Sequence, residues 1–151
     1  MNNIKRITAL VMAMLMGILM FSGLTNVKAA QTAHVSISSA SANVGDEVTI
    51  TITASSDVKI ELCDIWIDYD ASILQYVNGF NTEGGGTGRL LSSDETSFKV
   101  VFKAINPGTA TISVNKSTSY TGSADEDFMS LTTSSGTVTV KAPASYSSDN
   151  T

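Results

Sequence analysis

The chain has 151 residues, with fourteen acidic side chains against nine basic ones, a net charge of −5, one cysteine and one histidine. That balance argues against nucleic acid as a partner, because affinity for it rests on Lys and Arg set against phosphates. A lone cysteine excludes an internal disulfide. One histidine and one thiol leave neither the base of a hydrolytic triad nor the donors of a zinc site.

Residues 1–6 are polar and include Lys5 and Arg6, residues 7–24 carry no charge, and Val27 and Ala29 are small residues just beyond. A basic start, an apolar middle and a small-residue end read as a secretory signal peptide over residues 1–29, cut after Ala29. The apolar run is only marginally long enough for a retained membrane anchor, and no cysteine follows it to take a lipid. Removing the leader leaves six basic residues against fourteen acidic ones, a net charge of −8. What remains is enough for one domain with one core. A secreted, extracellular chain is expected, with association at a cell surface as the alternative.

The rest is strand after strand, with almost no helical period. Residues 34–38 alternate around Val35 and Ile37, and Asn43-Val44-Gly45-Asp46 is a turn. Residues 47–54 set Val48, Ile50 and Ile52 on one face and Thr49, Thr51 and Thr53 on the other. This is period-two alternation of β-branched residues. A strand over 59–69 follows, then a short turn at Asp70-Ala71-Ser72 with Asp70 as its cap, then an extended stretch over 73–80. Residues 81–88 hold four glycines and read as a flexible loop, with a short strand at Arg89-Leu90-Leu91. Residues 97–104 alternate again, with Lys99, Val101 and Lys103 on one side. Asn106-Pro107-Gly108 is a turn, 109–114 a strand, 116–130 a polar acidic stretch, and 136–141 the closing strand. Eight or nine short strands joined by Gly, Asn, Asp and Ser turns define an all-β class, a jelly-roll or immunoglobulin-like sandwich. The domain spans residues 33–141. Residues 142–151 read as a disordered linker, as if leading into a further module.

One strand stands out for chemistry. Over 62–69 the alternation puts Cys63, Ile65, Ile67 and Tyr69 on one face and Leu62, Asp64, Trp66 and Asp68 on the other. Carboxylates are costly to bury unpaired, so the second set should face out, and an aromatic among charges marks a recognition surface. A loop covering Trp66 is the competing reading. Lys99 and Val101 join the candidate partner-binding set if their strand lies in the same sheet. Cys63 reads as a buried thiol, since no basic group near it would activate a nucleophile. Asp64 and Asp68 lie on a flat face with no cleft, so no catalytic constellation assembles and a non-enzyme is expected. Asp125, Glu126 and Asp127 read first as a solvated acidic loop and second as a Ca2+ site, because hard cations take oxygen ligands. Direct carbohydrate binding through Trp66 and Tyr76 and a purely structural spacer are the alternative functions.

Val44-Gly45-Asp46-Glu47-Val48-Thr49-Ile50, Leu62-Cys63-Asp64-Ile65, Tyr69-Asp70-Ala71-Ser72-Ile73-Leu74, Phe102-Lys103-Ala104 and Pro107-Gly108-Thr109 occur in that order. In order and spacing they resemble the cohesin domain family over residues 33–141. The resemblance implies a jelly-roll sandwich related to cellulose-binding modules. It also implies a monomeric receptor for dockerin modules in polysaccharide-degrading or cell-surface assemblies. Asp64 matches an aspartate of the family's dockerin-binding face.

Overall fold

A computed structural model describes residues 29–93, 95–123 and 128–143. The leader, the cluster Asp125, Glu126 and Asp127, and most of the linker lie outside the described residues. The strands are β1 (Thr32–Ile37), β2 (Ala40–Asn43), β3 (Glu47–Ser56), β4 (Leu62–Tyr69), β5 (Leu74–Asn78), β6 (Thr82–Gly84), β7 (Thr87–Ser92), β8 (Ser97–Ala104), β9 (Gly108–Val114), β10 (Tyr120–Gly122), β11 (Ser130–Ser134) and β12 (Gly136–Lys141).

They form a two-sheet sandwich. The first sheet runs β11-β1-β3-β8-β5, and the second runs β2-β12-β9-β4-β7-β6, with β10 also pairing with β4. The β1–β11 and β12–β2 pairs are parallel and the rest are antiparallel. The all-β sandwich expected from the alternation is present. The twelve strands exceed the expected eight or nine because β2, β6, β10 and β11 are short and polar, with no inward apolar run to mark them.

Side-chain alternation decides which face is buried. In β3, Val48, Ile50, Ile52 and Ala54 point inward, and in β8 Phe98, Val100, Phe102 and Ala104 do the same. Across the core from them, β4 contributes Cys63, Ile65, Ile67 and Tyr69, with Leu90, Ile112 and Val138 from its neighbours. Several of these side chains are fully buried, each worth about 1.5–3 kcal/mol of transfer free energy. A slip of one residue in β4 would turn this set to solvent, so burial itself fixes the register.

The glycine-rich stretch 81–88 is not a flexible loop. Gly84 pairs with Thr87 across a two-residue turn in which Gly85 (φ 62°) and Gly86 (φ 97°) are both left-handed. Two consecutive positive φ values make a type I′ turn, whose twist matches the strands it joins. The glycines are what let the hairpin form. Gly88 serves a different end. A Cβ there would lie 2.2 Å from the Phe80 ring, which packs inside the hairpin against Tyr69 and Tyr76. At the expected Asp70 cap, the Asp70 carboxylate accepts from the Ser72 N–H at 2.9 Å, and the Leu74 N–H donates to the Asp70 carbonyl.

Candidate recognition face

The outer face of the second sheet is set by register. Asp64 sits opposite Leu91, Trp66 opposite Arg89 and Asp68 opposite Thr87. Asp68 also faces Ser113 of β9, and Tyr120 of β10 faces Asp64. Leu62, Asp64, Trp66 and Asp68 therefore share one outward surface, as alternation required. The edge of β4 changes partner midway, from β9 to β10. At the change, the Trp66 N–H donates to Ser119 Oγ at 2.8 Å and the Trp66 carbonyl accepts from the Asn115 N–H at 2.8 Å, so no backbone group is orphaned.

Asp64 is on this face but not open to solvent. It is 2% exposed, because Arg89 closes over it. Arg89 Nε donates to Oδ1 at 2.7 Å and an Nη to Oδ2 at 2.5 Å, a two-point clamp. The guanidinium also lies 5.5 Å from the centre of the Trp66 ring, in cation–π contact. Trp66 is half-buried, with Arg89 on one side and the hairpin residues Thr82, Gly84 and Thr87 on the other. The Arg89 hydrogen bonds hold the Asp64 carboxyl below the usual carboxylate range. Burial opposes this and loses, while Tyr120 and Trp66 add smaller contributions in the same direction as Arg89. The hydrogen bonds to Asp64, and then its charge, in turn raise Tyr120 and Arg89.

Two further features border this centre. The Phe128 ring, 74% exposed, packs edge-on against Tyr120 at 5.4 Å. On the other side, Trp66, Thr82, Glu83, Gly84 and Thr87 line a shallow cavity of about 260 Å³. Asp68 accepts from Thr87 Oγ1 at 3.0 Å, and Glu83 accepts a short hydrogen bond from the Tyr69 hydroxyl. Burial, together with that carboxylate, pushes the Tyr69 hydroxyl well above its ordinary range.

The placements of Lys99, Val101 and Tyr76 need correction. Lys99 and Val101 lie on β8, in the first sheet, so they do not share a face with Asp64. Tyr76 is on β5 of that same first sheet and stacks on Phe80, so it forms no platform with Trp66. Asp64 and Asp68 are four residues apart on one strand, about 13 Å between Cα atoms. That is beyond the carboxylate separations glycosidases use. Cys63 is inward and buried, and burial pushes its thiol up to about 11. His34 lies on the first sheet, its ring nitrogens 3.0 Å from Thr132 Oγ1 and 3.2 Å from Ser134 Oγ. The sequence did not single out Arg89, Tyr120 or Phe128. The T-x-R-x-L alternation over 87–91 was the only local signal for Arg89.

Among the described residues, no group of three or more His, Cys, Asp or Glu could hold a metal ion, and no helix is long and apolar enough to cross a membrane. The chain is an all-β sandwich module whose outer face sets aromatic and charged side chains around a clamped ion pair. The sequence profile of the cohesin domain matches residues 33–149, and the chain belongs to the cohesin family. Among curated proteins no match was found. Solved structures share the fold at low identity. The seventh type I cohesin of a Pseudobacteroides cellulosolvens scaffoldin is 19% identical with a TM-score of 0.64, over 80% of this chain and 99% of that one. The sixth cohesin of scaffoldin B from Acetivibrio cellulolyticus, solved in complex with a dockerin, is 20% identical with a TM-score of 0.63, over 73% and 99%. A non-cellulosomal cohesin from Archaeoglobus fulgidus is 13% identical with a TM-score of 0.63, over 73% and 91%.

Proposed function

We propose that this chain is a secreted, non-catalytic recognition module whose outer β4–β7 face takes a dockerin-type protein module. The setting is an extracellular or cell-surface assembly that acts on polysaccharide. In this reading, residues 1–29 are the leader, 33–141 the binding domain and 142–151 a linker. The observation that supports it best is the face itself. Leu62, Trp66, Leu91 and Asp68 surround an ordered ion pair on a rigid sheet, and exposed aromatics anchored on a rigid scaffold are where binding energy concentrates. Cohesins that share this fold are solved in complex with dockerins.

The test is calorimetric titration of the secreted, mature chain with each dockerin module encoded in the same genome. At least one should bind, and Trp66→Ala should weaken it about tenfold or more, as loss of a central aromatic does. Lys99→Ala, on the opposite sheet, should leave binding unchanged. If none of those dockerins binds, the reading fails. Sequencing the secreted protein from its first residue checks the leader, with Ala30 expected at the start.

A further inference from the structure

Resting on that reading, we infer that Arg89, and not Asp64, is the charged group this face offers, and that the partner meets it with a carboxylate. The geometry carries the argument. Both oxygens of Asp64 are engaged and the side chain is closed off from solvent. A partner cation arriving at Asp64 would first have to displace a two-point guanidinium clamp. Arg89 remains 32% exposed. A guanidinium has five N–H donors, and the Asp64 clamp uses two of Arg89's. The donors on the remaining nitrogen and the outer side of the clamp face away from Asp64. They suit the planar, two-oxygen geometry of a carboxylate.

The site is also built to make such a contact worthwhile. The clamp below and the Trp66 ring alongside fix the Arg89 rotamer, so little side-chain freedom is left to lose on binding. Tyr120, Phe128 and the exposed Leu91 stand around it as apolar neighbours. They would shut water out of the contact and strengthen it. Asp68, toward the hairpin, is negative and accepts from Thr87. The face thus offers free guanidinium donors at one end and a carboxylate at the other. A partner with one carboxylate and one cation at the matching separation is read in a single orientation.

Two experiments test this. Once the leader is gone, Arg89 is the only arginine in the chain, so arginine-selective 15N labelling gives one guanidinium signal. Sodium acetate should shift that signal at lower concentrations than free arginine amide requires, whereas sodium chloride at equal ionic strength should not. The second experiment uses whichever dockerin binds. Arg89→Gln should lower affinity about 10- to 100-fold, the range for a hydrogen bond to a charged group, and Asp64→Asn should cost much less. Replacing the responsible partner Asp or Glu with Ala should cost as much as Arg89→Gln, and the two changes together should not add. Thermal melts confirm that each variant is folded. An acetate response with no dockerin binding overturns the proposed function and leaves the Arg89 assignment standing. Absence of an acetate-specific shift, or a larger loss from Asp64→Asn than from folded Arg89→Gln, overturns the assignment.

Discussion

Asp64 sits where an open carboxylate would be expected, yet the structure closes it beneath Arg89. The physical consequence is a pH dependence with a definite sign. A carboxyl held below its ordinary value of about 4 stabilises the folded state above that pH and stops doing so as pH falls through its lowered value. Melting temperatures taken from pH 6 to pH 2 should therefore fall more steeply below about pH 4 for the native chain than for Asp64→Asn. Parallel curves would mean the clamp does not hold the charge. Gly88 is a second residue-scale case. Its missing side chain is the space the Phe80 ring occupies, so Gly88→Ala should cost about 1–3 kcal/mol by overpacking. Adding Phe80→Ala should recover part of that loss in denaturant melts, because the clash partner is gone. Cys63 yields a third prediction. Buried, and with its thiol pushed up to about 11, it should resist iodoacetamide in the native state and react fully in denaturant, as read by intact mass.

The β6–β7 hairpin decides the shape of the recognition face. Its turn needs φ > 0 at both Gly85 and Gly86, and a Cβ at Gly86 would also approach the Tyr69 carbonyl at 3.1 Å. Left-handed backbone costs an ordinary residue about 1–2 kcal/mol. Gly86→Val should therefore destabilise by at least about that much and weaken any ligand that uses the cavity beside Trp66. Gly85→Asn should be nearly silent, since Asn accepts that conformation at the first turn position. Glycine count alone suggested a loop at this position. Glycine frees the chain for many shapes, and only the pairing of Thr82–Gly84 with Thr87–Arg89 selects one. Strands β3, β8 and β4 were legible because each sets an apolar residue inward at every second position over most of its length, whereas β2, β10 and β11 are short and carry no run of large apolar side chains.

At the scale of the molecule, two sheets close one apolar layer, and central positions from both sheets hold it together. Ile65 lies fully buried on β4, so Ile65→Ala should cost about 2–5 kcal/mol. It should leave the outer face intact wherever the protein stays folded, because the two faces of β4 use alternate residues. The sequence by itself determined the class, an all-β sandwich, and the inward and outward sides of β4. Both follow from periodicity, which is local and survives in one dimension. Only the tertiary structure decided which strands share a sheet. It separated Lys99, Val101 and Tyr76 from Trp66, and it brought Arg89, Tyr120 and Phe128 to Asp64. Cross-strand pairing joins residues far apart in sequence, here 25 positions between Asp64 and Arg89. The charge presented at the centre of the face is therefore set by register and not by any motif.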